Sequence, residues 1–103
     1  GNSRLSVKFF DSLAINYDKR QVAYQDKVIP FTKKEFDIIE LLTRNPGQVF
    51  DKERIYEVIW GYDSEGNSSI IVEHMRRIRK KFMEYTEKTY IETVWGIGYK
   101  WEN

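Results

Sequence analysis

Along this chain the spacing of hydrophobic positions changes twice. Between residues 5 and 29 apolar and β-branched residues come in short pieces, 5–9, 13–17, 21–24 and 27–29. Turn-prone groups separate them: Asp11-Ser12, Asp18-Lys19-Arg20 and Gln25-Asp26. Spacing this tight predicts a small antiparallel meander rather than strand–helix–strand units. A helical period then takes over. Thr32-Lys33-Lys34-Glu35 reads as a capping box, with Phe31 and Phe36 at the staple positions on either side. Lys33, Asp37, Glu40 and Arg44 form one polar stripe, and Ile38, Ile39, Leu41 and Leu42 make the rest apolar, so this helix is largely buried. Asn45-Pro46-Gly47 stops it. Val49-Phe50 is a short apolar link, and Asp51 caps a second helix that runs through Trp60 with Ile55, Val58 and Ile59 inward. The stretch 61–67 is a flexible acidic loop. Ser68 or Ser69 caps a third helix ending near Phe82 or Met83. Residues 90–95 and 99–101 are two strands around Gly96-Ile97-Gly98, hence a hairpin.

The third helix carries the functional argument. Ile71, Met75, Ile78 and Phe82 lie on one line and face the core. On the opposite side stand Ser69, Glu73, Arg76, Arg77 and Lys80, flanked by Val72 and Arg79. Residues 69–82 make a rod about 21 Å long, which fits a DNA major groove about 12 Å wide. An exposed arginine grips guanine or phosphate in two-pronged fashion, and lysine supplies a less directional charge. Two helices leading into such a rod, followed by a hairpin, describe a winged helix-turn-helix in the α+β class. The link between the second and third helices is longer than the usual three or four residues.

Composition first points the other way. The 103 residues carry 17 Lys+Arg against 16 Asp+Glu, a formal charge of +1, which on its own speaks against a polyanion partner. The average conceals its parts. Residues 1–68 sum to −1 and residues 83–103 to −2, whereas Arg76, Arg77, Arg79, Lys80 and Lys81 against Glu73 give residues 69–82 a net +4. Length allows one domain, and 41% hydrophobic with 16% aromatic residues is enough for a modest core. With one histidine and no cysteine, disulfides, thiolate zinc sites and cysteine nucleophiles are excluded, and a transition-metal site lacks its usual ligands. No phosphate-binding glycine motif and no Ser/His/Asp constellation is present, so no enzyme activity and no cofactor are expected. His74 lies near the core seam and reads as a packed, hydrogen-bonded side chain. Trp60 and Tyr99 read as core, and Lys81 as surface.

Five segments in register resemble the C-terminal DNA-binding domain of OmpR/PhoB-type response regulators. They are Phe31-Thr32-Lys33-Lys34-Glu35-Phe36, Asn45-Pro46-Gly47, Val58-Ile59-Trp60-Gly61, His74 through Phe82, and Thr93 through Trp101. The resemblance covers about residues 5–101. It implies a four-stranded N-terminal antiparallel sheet (5–30), a three-helix core (32–83) and a C-terminal hairpin wing (90–101). Residues 1–4 read as a linker remnant and 5–103 as the domain. It also implies a cytoplasmic bacterial transcription factor bound to double-stranded DNA as tandem protomers on direct repeats. A sensor kinase would act only through a receiver domain outside this chain, and no membrane contact is expected. Ser69, Val72, Glu73, Arg76, Arg77, Arg79 and Lys80 are the recognition-helix positions it assigns to DNA, with Thr93 and Trp95 in the wing. Arg79 is expected to meet phosphate, and Glu73 to accept from cytosine, pair with Arg77, or screen.

Three positions depart from the family pattern. Many members have Asp where Val72 stands and a small apolar residue where Glu73 stands, so the target sequence does not carry over. Many also have Arg where Trp95 stands; the tryptophan forms no ionic phosphate contact, but its N–H can donate and its ring can pack on sugar. The loop residues Tyr62, Asp63, Ser64 and Glu65 match a stretch that touches RNA polymerase in the family. Two other readings stay open: a winged-helix module whose third helix docks an acidic protein, and a DNA-binding domain outside two-component systems. If five cationic contacts meet phosphate, log K should fall with log[salt] at a slope of about −4 to −5.

Overall fold

In the computed structural model, residues 6–61 and 66–102 are described. Strands β1 (Val7–Phe10), β2 (Leu13–Asn16), β3 (Gln21–Tyr24) and β4 (Lys27–Ile29) form one antiparallel sheet in sequence order. Register pairs Phe9 with Ala14, Ala14 with Ala23, and Ala23 with Val28. The first strand runs from Val7 to Phe10; Leu5, where the apolar pattern starts, lies outside the described residues. The two-residue turn between β3 and β4 places both Gln25 and Asp26 at positive φ, the geometry that matches the twist of a tight hairpin. Leu13, Ile15, Val22 and Ile29 line the inner face and are buried.

Helix α1 (Lys33–Arg44) packs on that face through Phe36, Ile38, Ile39 and Leu42. The capping box is complete: the Glu35 N–H donates to Thr32 Oγ1, and the Thr32 N–H to Glu35 Oε1 at 2.9 Å. Phe31, however, sets its ring against Phe82 at 5.2 Å, tying the start of α1 to the far end of the third helix. Sheet and helix are also joined by polar contacts. Tyr17 and Thr43 share a buried hydrogen bond of 2.7 Å, and the Lys8 ammonium donates to the Thr43 carbonyl. Asn45 caps the helix, and Gly47, at φ +82°, turns the chain away.

Helix α2 (Lys52–Trp60) starts at Asp51, whose side chain accepts the Arg54 N–H at 2.7 Å. Its inner side is Ile55 and Tyr56 with Ile59 beside them; Val58 is 47% exposed, contrary to the expected inward set. Nine residues give too few turns for spacing alone to separate those neighbours. Helix α3 (Ser69–Met83) buries Ile71, Met75, Ile78 and Phe82, as its spacing required. Its cap differs from expectation. Ser68 already has helical backbone angles and makes no capping bond; its hydroxyl donates to Glu53, and Asn67 Oδ1 takes the Ser69 N–H instead.

Strands β5 (Ile91–Val94) and β6 (Gly98–Trp101) form the C-terminal hairpin. Trp95 belongs to its turn rather than to a strand, and Gly96, at φ +80°, supplies the reversal. Trp101 is wholly buried, stacked on Tyr90 and edged by Phe10 and Phe82, and so closes the core from the wing side. Phe50 and Tyr99 exchange backbone hydrogen bonds of 2.8 and 2.9 Å, which fasten β6 to the link before α2.

Candidate nucleic-acid interface

With four buried side chains fixing its inner side, α3 has no freedom to roll. Val72, Arg76, Arg77 and Lys80 are therefore exposed together on the outer side, with Ser69 at its start. Glu73 stands between the two arginines. Arg76 grips its carboxylate with two bonds, Nη2 to Oε1 at 2.6 Å and Nε to Oε2 at 3.1 Å, while Arg77 Nε lies 3.4 Å from Oε1. The Arg76 hydrogen bond, helped by the charge of Arg77, holds the Glu73 carboxyl below the usual glutamate range. Lys80 has no ionic partner among the described residues.

Two cations counted on this helix are engaged elsewhere. Arg79 is half-buried: its Nη2 donates to the Ile91 carbonyl at 3.1 Å and to Thr93 Oγ1 at 2.7 Å, with the guanidinium over the Tyr99 ring. It straps the wing to the helix, and Thr93 is one of the strap's two acceptors. Lys81, expected at the surface, turns back to α1. Its ammonium donates to Glu35 Oε1 and to the Pro30 carbonyl, and Glu35 is 2% exposed. Burial would raise the Glu35 carboxyl, but the Lys81 and Thr32 donors outweigh it and hold the group below its ordinary value.

His74 is packed as expected, its Nδ1 2.8 Å from the Ile70 carbonyl and its ring edge-on to Trp60. At the wing tip Trp95 is 89% and Ile97 62% exposed. A shallow groove of about 380 Å³ joins them to Val72 and to Lys52 and Glu53 at the start of α2. Lys52 and Ile97, which line this groove, are not among the residues the sequence assigned to DNA. The first lies in a region of net negative charge, and the second was read only as part of a glycine turn. Tyr62, Asp63, Ser64 and Glu65 lie outside the described residues.

The geometry is a cationic helix face flanked by a rigidly attached hairpin. The family described as "Transcriptional regulatory protein, C terminal" matches residues 26–101. The chain belongs to this family. Similarity extends to the transcriptional regulatory protein SpaR of Bacillus subtilis, 37% identical over 97 residues, covering 94% of this chain and 44% of that one. Among solved structures, the Thermotoga maritima response regulator DrrB, an OmpR/PhoB homolog, superposes with a TM-score of 0.84 at 29% identity. That match covers 95% of this chain and 45% of DrrB. The RstA DNA-binding domain of Klebsiella pneumoniae, solved in complex with the RstA box, gives 0.81 at 27% identity, covering 93% and 96%. This transcriptional-regulator domain thus has the OmpR/PhoB winged-helix fold and spans less than half the length of SpaR or DrrB. Among the described residues no helix is long and apolar enough to cross a membrane.

Proposed function

We propose that residues 5–103 are the effector unit of a two-component response regulator and bind double-stranded DNA sequence-specifically, with α3 in the major groove. One observation carries the reading: Arg76, Arg77 and Lys80 are exposed on one side of a helix whose other side is locked into the core. A helix that cannot roll presents those cations in fixed register, which base reading demands and mere solubility does not. Arg77 is the candidate base reader, and Arg76 and Lys80 hold backbone. Arg79 and Thr93 act mainly by placing the wing, with the remaining Arg79 N–H groups free to reach phosphate. In the whole protein, a phosphorylated receiver would bring protomers together on direct repeats. The 62–65 loop, whose acidic residues avoid phosphate, would then be available to RNA polymerase. The target sequence is to be obtained by selecting the chain against a randomised duplex library. Arg77→Ala should then cost about 1–3 kcal/mol at one base position and little at the others. Equal binding to the selected and scrambled duplexes by the unaltered chain would overturn the reading.

A further inference from the structure

The last turn of α3 and the root of the wing do not close fully on each other. Between them lies a cavity of about 520 Å³, a size that suits a small molecule rather than a helix or a strand. Phe82 and Met83 line it from α3, and Tyr90 and Ile91 from the entry to β5. Phe82, Tyr90 and Ile91 are buried and make a fixed apolar floor, the two rings 5.4 Å apart. Met83 is 75% exposed, and a flexible thioether of this kind can close over an aromatic guest.

The charged side chains around the cavity are Arg79, Lys88 and Glu87. Lys88 is already committed, its ammonium paired with Asp11 and lying over the Tyr90 ring. Arg79 spends only Nη2, on the Ile91 carbonyl and Thr93 Oγ1. Its Nε and Nη1 groups have no acceptor among the described residues. Because Ile91 also lines the cavity, the guanidinium stands at the cavity wall. Glu87 is exposed at the rim and repels a second negative charge, which disfavours phosphate esters. We propose that this cavity is a regulatory site for a small aromatic monocarboxylate. The ring rests on Phe82, Ile91 and Met83, and the carboxylate accepts from the open N–H groups of Arg79, a pairing that fixes its orientation. Those same N–H groups are the ones left to meet DNA phosphate. Guest and duplex therefore compete for Arg79, and the guest antagonises DNA binding. The competition rests on the DNA-binding reading above; the site itself does not.

The two methionines make the site observable, since Met83 lines it and Met75 is buried in the core. The test titrates the 103-residue chain, labelled at methionine methyls and backbone amides, with cinnamate and with its uncharged analogue cinnamamide. Cinnamate should shift the Met83 methyl and the amides of residues 86–91 saturably, leaving the Met75 methyl in place. Cinnamamide should bind about tenfold more weakly. Met83→Gln, at an exposed position, should unfold thermally like the parent yet weaken cinnamate about fivefold. Saturating cinnamate should lower affinity for the selected duplex about fivefold and make the salt slope shallower by about 0.9, and the duplex should weaken cinnamate by the same factor. No saturable shift at Met83, or equal binding of the two probes, would eliminate the site. Cinnamate binding with no effect on a duplex that the chain still holds would eliminate the competition. A chain that binds cinnamate but no duplex selectively would support the site and overturn the DNA-binding reading.

Discussion

Lys81 belongs to α3 by sequence, yet it serves α1, where its ammonium satisfies the buried carboxylate that completes the first capping box. A helical wheel places it only relative to its own helix and cannot see Glu35, 46 residues away in the chain. The tie from Arg79 to the wing was invisible for the same reason, since its acceptors lie on β5. The pairing of Glu73 with Arg77 was legible, because partners four residues apart are neighbours on any helix, whereas the closer grip of Arg76, three residues on, was not expected. Removing one member of a buried pair strands the other charge, so Lys81→Met should lower unfolding stability by about 3 kcal/mol in neutral urea titrations. Acid response has a definite sign. The Glu35 pKa is lower in the folded state, so its contribution is complete above the ordinary glutamate range and lost as pH falls through the depressed value. The gap between the parent chain and Lys81→Met should therefore shrink on acidification. A gap that stays constant at every pH would assign Lys81 a packing role only.

Elements were legible where a local signal marks them: the capping box before α1, the Asp51 cap, the apolar seam of α3. Boundaries set by tertiary contacts were less so. The Ser68 cap moved to Asn67 because Glu53, on another helix, takes the serine hydroxyl. The seating of the wing was invisible in the sequence. It depends on Gly98, where an added Cβ would lie 2.7 Å from the Asp51 Cα and closer still to the Phe50 carbonyl oxygen. Backbone cannot yield there as a flexible side chain would. Gly98→Ala should thus cost about 1–3 kcal/mol of stability and free the Phe50 and Tyr99 amides to exchange with solvent. DNA affinity should drop with it. Retained protection of those two amides would show that the strand accommodates the methyl group.

At the scale of the whole molecule, the +4 assigned to residues 69–82 overstates what DNA meets. Arg79 and Lys81 are engaged within the domain, and Arg76 and Arg77 share one carboxylate. The helix offers three outward cations partly screened by Glu73, with Lys52 a fourth at the groove edge. The salt slope expected for the isolated chain accordingly falls to about −3. Glu73→Gln should steepen it and raise affinity for scrambled duplex; an unchanged slope would mean that Glu73 does not compete with phosphate. The closure of the core by Trp101 has a consequence for how the domain comes into being. Along the chain the sheet and all three helices precede β6. Until Trp101 arrives against Phe10, Phe82 and Tyr90, the inner side of α3 lacks its largest neighbour. A chain interrupted before Trp101 therefore carries the cationic helix without the ring that closes the core behind it, and has no rigid reader to present to the genome.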